Sequence, residues 1–175
     1  MIAISHNHYD HFDINSLRKI QKRFPKVKIL VPKGDLKLLS NYKLENGYEF
    51  VWWESLIVNK TSFTFTPAQH WSARGLRDRN KRLWGSWFTS YNNFNIFHAG
   101  DTGYSDDFVN IKNKLGPTDF AMIPIGAYDP EWFMNYSHVN PEEAINIAKD
   151  LGSKKSVGMH WGTFIPVSYT HLRAH

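Results

Sequence analysis

The stretch AISHNHYDHFD, residues 3–13, breaks a short apolar run into three histidines and two aspartates before the chain has built anything else. In an extended or turning segment, side chains two positions apart can face the same way. His6 and His8 can therefore converge on one metal ion, while Asp10 and His11 can turn toward a second. Imidazole nitrogens and carboxylates, in a chain without cysteine, suit zinc and also iron or manganese. A lone histidine is most simply a solvated or hydrogen-bonded side chain. Ligand-type residues at 6, 8, 10 and 11 together are hard to read that way.

Two neighbouring ions need further ligands, including one that bridges. The remaining candidates are His70 in PAQHW, Asp101 in HAGDTGY, His138 in NYSHVNPEEA and His160 in GMHWGTF. Each has a plainer reading by itself: His70 as a satisfied, partly buried histidine, Asp101 as a turn residue ahead of Gly103. Against coincidence, His6, His70, Asp101 and His160 each fall just past the carboxyl end of an expected strand, among small residues that let backbone approach an ion. His98 is still inside its strand and reads as core or surface. His171 and His175 lie in the terminal tail and are not counted as ligands.

The elements that carry these residues are of mixed type. Asp13 or Asn15 caps a helix in DINSLRKIQKRF whose Ile14, Leu17, Ile20 and Phe24 share a face, and Pro25 stops it. KVKILVP reads as a strand, GDLKLLSNYKL as a weak helix, and YEFVWW, LIVN, TSFTFTPAQH and RLWGSWFTSY as further strands. Asn92-Asn93 is a hairpin turn into FNIFHAGDTG. DDFVNIKNKLG is a helix stopped by Gly116, DFAMIPIG a strand and KSVGMHWG a last strand. NPEEAINIAKDLG has the strongest helix signal, with Asn140 as cap, Pro141 in the first turn, Glu143 closing the box and Gly152 at the end. Such a mixture predicts an α/β fold of sheets flanked by helices.

Composition sets the outer bounds. At 175 residues, 42% hydrophobic and 15% aromatic, the chain is one domain with a real core, which excludes a disordered class. No apolar run reaches the length of a membrane-spanning helix, and MIAIS is too short for a signal-peptide core. Without cysteine there are no disulfides. The net charge of +5 is scattered over several segments, so no nucleic-acid partner is expected from it. The location reads as cytoplasmic or peripheral to a membrane, and homo-oligomerisation stays open. Trp84 and Trp87 read as core, whereas Trp132 and Phe133, in a loop near the presumed site, read as membrane contacts.

SHNHYDH resembles the His-x-His-x-Asp-His signature of the metallo-β-lactamase fold superfamily, and the later His, Asp and His come in that superfamily's order. PAQHWSARGLRDRNKRLWGSW, FHAGDTGY, IPIGAYDPEWFMNYSHVNPEEA and MHWGTF narrow the resemblance to the N-acyl-phosphatidylethanolamine-hydrolysing phospholipase D family and its bacterial relatives. This resemblance implies a four-layer αββα sandwich and two zinc ions. His6, His8 and His70 would hold one ion, Asp10, His11 and His160 the other, and Asp101 would be shared. It also implies a phospholipid substrate, catalytic roles for Asp10 and His138, and substrate contacts from His138, Tyr9 and Arg74. A sibling hydrolase acting on another ester, lactone or phosphodiester is the alternative, as is an inactive fragment.

Two departures from the family pattern shape the domain expectation. In the family the histidine loop follows several strands, but here it begins at residue 6. After HWGTF this chain gives IPVSYTHLRAH, which has neither a cap nor a core pattern. The expectation is a partial hydrolase domain over residues 1–166 lacking its N-terminal strands, with 167–175 a tail of doubtful origin. An exposed sheet face and edge would make such a chain fold poorly or aggregate.

Overall fold

The computed structural model describes residues 1–162. In chain order the elements are β1 (Ile2–Ala3), α1 (Ile14–Arg23), β2 (Ile29–Pro32), α2 (Leu36–Asn41), β3 (Gly47–Phe50), β4 (Ser55–Val58) and β5 (Thr61–Thr66). They continue with β6 (Ser86–Tyr91), β7 (Phe94–His98), α3 (Asp107–Leu115), β8 (Phe120–Pro124), α4 (Glu131–Met134), α5 (Pro141–Asp150) and β9 (Lys155–Met159). The expected tail at 167–175, with His171 and His175, lies outside the described residues.

The strands form two sheets, a parallel one ordered β1-β2-β3 and a mixed one ordered β4-β5-β6-β7-β8-β9. Strand alternation decides what each sheet faces. Ile29 and Val31 of β2 pack with Ile14 and Leu17 of α1 and Leu38 and Leu39 of α2. Leu30, between them, points the other way, into a cluster with Phe50, Phe65 and Trp87 that fills the space between the sheets. On the second sheet, Phe88, Phe97, Ala121 and Ile123 pack with Phe108 and Ile111 of α3 and Ala144 and Ile147 of α5. The layers therefore run helix, sheet, sheet, helix, the expected αββα sandwich. Each fully buried large side chain in these clusters contributes about 2 kcal/mol of transfer free energy.

Local signals explain most element ends. Asp13 caps α1 by accepting from the Asn15 and Ser16 amides. Asn140 and Glu143 form the full reciprocal box on α5. Asn92 and Asn93 take the left-handed conformations that a two-residue hairpin requires, with φ of 48° and 61°. Other expectations are corrected. Ile20 and Phe24 are exposed, so α1 buries only Ile14 and Leu17. Trp132 and Phe133 lie in the short helix α4, not in a loop. β3 ends before Trp52, and β6 begins after Trp84, because both indoles are used in a loop seam: Trp52 Nε1 donates to the Trp84 carbonyl and Trp84 Nε1 to that of Ala68. Trp84 is thus half-buried, while Trp87 is core.

Candidate metal centre

Topology gathers the site. β5 and β7 both run antiparallel to β6, so they point the same way, and β8 and β9 run parallel to β7. The carboxyl ends of β5, β7, β8 and β9 therefore share one edge of the larger sheet. His70 follows β5, Asp101 follows β7, His138 sits in the segment after β8, and His160 follows β9 directly. The histidine loop arrives from the other sheet, after β1. It is tied across the seam by the Gly85 amide donating to the Ser5 carbonyl and by Trp87 Nε1 donating to that of Ile4, both at 2.9 Å.

Two groups of ligand atoms result, His6 with His8, His70 and Asp101, and Asp10 with His11, Asp101 and His160, the atoms of each group lying within 4.8 Å of one another. Asp101 belongs to both. Its Oδ2 is 3.2 Å from His11 Nε2, 3.5 Å from His160 Nε2, and 3.9 Å from Nε2 of both His6 and His70. Asp10 Oδ2 lies 3.5 Å from His11 Nε2 and 3.3 Å from His160 Nε2. Ligands about 2.1 Å from a tetrahedral ion stand about 3.4 Å apart, so this spacing is that of donors around a cation. Buried Asp101 Oδ1 and His138 Nδ1 have no hydrogen-bond partner among the described residues. Such orphans are costly unless something occupies the space between them. The donor set and the orphaned atoms fit one or two divalent ions.

A neighbouring carbonyl fixes the tautomer of His70. His70 Nδ1–H donates to the Ser137 carbonyl at 3.1 Å, which leaves the Nε2 lone pair facing Asp101 and its companions. Ser5 Oγ lies 3.0 Å from His6 Nδ1 and holds that ring by a hydrogen bond as well. Burial pushes the His70 pKa down to about 3, and it lowers His6, His8 and His138 as well, so these rings are neutral at pH 7 and available as donors of lone pairs. Burial alone would raise Asp101, but the adjoining His11, His6 and His160 rings hold its carboxyl well below the usual range. Asp10 is also lowered, chiefly by its hydrogen bond from His160, which in turn raises His160.

His138 sits beside these groups, its Nδ1 4.0 Å from Asp101 Oδ2 and its ring 5.3 Å from that of His70. Tyr9 is exposed and lines an open cleft of about 580 Å³ with Trp71, Arg74 and Leu76, against His8 and Asp10. Trp71 packs edge-on against His8 at 4.3 Å. Arg74 reaches the cleft wall, but its Nη1 donates to the carbonyls of Asn7 and Phe12, so the head is turned onto the histidine loop. His98 stays in β7, where Nδ1 accepts from the Gly100 amide, and it belongs to neither ligand group. Sequence reasoning missed Asn7, Asp35, Asp78 and Arg82, which support the loop from behind. Nothing in their spacing announces it.

A family model described as a beta-lactamase superfamily domain matches residues 1–161. The chain belongs to the metallo-β-lactamase superfamily. Among its relatives, N-acyl-phosphatidylethanolamine-hydrolyzing phospholipase D 1 of Caenorhabditis elegans is 42% identical, covering 93% of this chain and 48% of that protein. The mitochondrial N-acyl-phosphatidylethanolamine-hydrolyzing phospholipase D of Saccharomyces cerevisiae is 43% identical, covering 94% and 36%. The chain thus spans half or less of the length of these relatives. Igni18, a metallo hydrolase from the archaeon Ignicoccus hospitalis, shares the fold with a TM-score of 0.72 at 23% identity, covering 93% of this chain and 64% of its own. This metallo-β-lactamase domain therefore has a metal-dependent hydrolase fold with a His/Asp cluster able to hold metal.

Proposed function

We propose that the chain carries a dinuclear zinc phosphodiesterase site of phospholipase D type, acting on N-acyl-phosphatidylethanolamine. The supporting observation is the convergence of His6, His8, His70, Asp10, His11 and His160 on the single carboxylate of Asp101, at the foot of the cleft lined by Tyr9 and Trp71. The relatives at 42% and 43% identity, named for this reaction, support the choice of substrate. His6, His8 and His70 would hold one ion, Asp10, His11 and His160 the other, and Asp101 both. An all-nitrogen-and-oxygen donor set of neutral imidazoles and carboxylates favours zinc, with iron or manganese as the substitutes.

When bound, the ions supply Lewis-acid polarisation of a phosphoryl oxygen and a water of lowered pKa. The reaction forms a bond from water oxygen to phosphorus and breaks the bond from phosphorus to the ethanolamide oxygen. Phosphatidic acid and an N-acylethanolamine leave, the latter after its oxygen takes a proton. Asp10, kept ionised by His160, accepts a hydrogen bond from the attacking water and orients it. His138 is neutral at pH 7 and its Nδ1 is unpartnered, so it donates an N–H hydrogen bond to a phosphoryl oxygen, or takes on its free nitrogen the proton released by the attacking water and hands it to the leaving oxygen. Tyr9 and Trp71 shape the cleft that receives the apolar part of the substrate. Trp132 and Phe133, exposed on α4, make the peripheral contact with the lipid surface.

The test is metal content per chain followed by turnover of N-acyl-phosphatidylethanolamine vesicles with and without chelator. Chelator-sensitive release of N-acylethanolamine is expected, and His138→Ala should lose it while keeping its metal. Metal uptake with cleavage of a lactone or a simple ester instead would move the assignment to a sibling hydrolase. Metal uptake with no hydrolysis of any ester would reduce the chain to a binding fragment.

A further inference from the structure

Behind the histidine loop lies a closed circuit of polar contacts. Asn7 Nδ2 donates to Asp35 Oδ1 at 3.5 Å, and Asp35, with no exposure, pairs with Arg82 Nε at 3.2 Å. Arg82 Nη1 donates to Asp78 Oδ2 at 2.8 Å. Asp78 in turn accepts from the backbone amides of Arg74 and Gly75. Arg74 closes the ring, its Nη1 donating to the Asn7 carbonyl at 3.0 Å and to that of Phe12 at 2.9 Å. The guanidinium also lies 4.0 Å from the centre of the Tyr9 ring, whose hydroxyl donates back to the Arg74 carbonyl at 2.9 Å. Asn7 and Phe12 bracket His8, Asp10 and His11, so one cation holds both ends of the segment.

We infer that Arg74 is a positioning residue: held from behind by Asp78 and Arg82, it pins the two ends of the histidine loop and so presets the ligand geometry of the metal centre. The circuit explains why an arginine stands there. Nη1 serves two backbone carbonyls with the two N–H bonds of one rigid planar head, while the delocalised cation lies over the Tyr9 ring. A lysine offers one point charge on a flexible stem. This role differs from an anion contact, because the Nη1 donors already face carbonyls of the chain itself. The inference rests on the loop being a metal loop, as proposed above.

The test measures zinc affinity of the 175-residue chain by competition with a chromophoric chelator, alongside kcat and KM at saturating zinc. Outer-sphere supports of ligands change metal affinity by about ten- to a hundredfold. Arg74→Ala is expected to weaken zinc binding in that range, Arg74→Lys to recover only part of it, and kcat to return toward the parent value once zinc is in excess. Asp78→Asn leaves the Arg74 side chain in place but loosens its backbone, and should show a smaller loss of the same kind. If Arg74→Ala is not recovered folded, Arg74→Lys and Asp78→Asn carry the test. Variants binding zinc as tightly as the parent, with only KM for the phospholipid raised, would overturn the clamp and make Arg74 a substrate contact. A parent chain taking up no divalent ion would instead overturn the metal reading itself, and the clamp with it.

Discussion

Asp35 is a carboxyl with no exposure, and burial drives its pKa from 3.8 to about 7 even though Arg82 pulls the other way. A carboxyl whose folded pKa is raised stabilises the fold in its protonated form. That contribution is complete below pH 4 and is lost as pH rises through 7. At 1.36 kcal/mol per pKa unit the loss across this window is about 4 kcal/mol, with more than half of it falling between pH 5 and pH 8. Asp35→Asn removes the slope, because asparagine is neutral throughout. The melting temperature of Asp35→Asn relative to the parent should therefore climb by several degrees from pH 5 to pH 8 in paired thermal melts. A constant difference would show that Asp35 stays ionised across the range. Neither Asp35 nor Arg82 was legible beforehand as part of the site. Their partners are distant in sequence, and a carboxyl–guanidinium contact behind a loop leaves no local period. The ligand-type residues were legible because clustered histidines do something no core requires.

Among the elements, the strand ends carry the information, and the loops after them carry the constraint. Gly126, in the turn after β8, has no room for a side chain: a Cβ there would fall against the carbonyl oxygen of His160. His160 itself sits at φ 57°, so its backbone is already held in the left-handed region. Gly126→Ala should push His160 away from Asp10 and Asp101 while leaving the His6, His8 and His70 group in place. Metal analysis is then expected to fall from two ions per chain toward one, with fold content by circular dichroism unchanged. Two retained ions would mean that the β9 end can yield without losing its ligand. The placement of His70, Asp101 and His160 past strand ends could be read directly, since apolar runs of four to six residues stop where polar ones begin. Helix α4 could not. It has four residues, and its N-cap Pro130 makes no side-chain capping bond, so nothing marks its start. α1 misled in the opposite way: its apolar stripe runs to Phe24, but only its first half packs against the sheet.

Across the whole molecule, the candidate metal centre draws its ligand-type residues from both sheets. His6, His8, Asp10 and His11 come from the loop after β1 of the small parallel sheet, and His70, Asp101 and His160 come from the large mixed one. Between the sheets the apolar filling is the modest cluster of Leu30, Phe50, Phe65 and Trp87. Under the proposed two-ion reading, ions shared by both halves would bind the folded chain and not the unfolded one, which would add about 2.7 kcal/mol of stability at a free concentration a hundredfold above Kd. For a chain of this size that corresponds to about 5–10 °C in melting temperature. Stripping the metal with chelator should lower the transition by this amount, and zinc should restore it. Asp101→Ala, which removes the carboxylate common to both groups, should melt at the stripped temperature and respond little to either treatment. The comparison has a sharp negative outcome. If chelator leaves the parent melt unmoved while removing the ions, the sheets are held by the Leu30–Trp87 cluster, the seam bonds to Ile4 and Ser5 and the Arg74–Arg82 circuit, and the site is a passenger on a fold that stands without it.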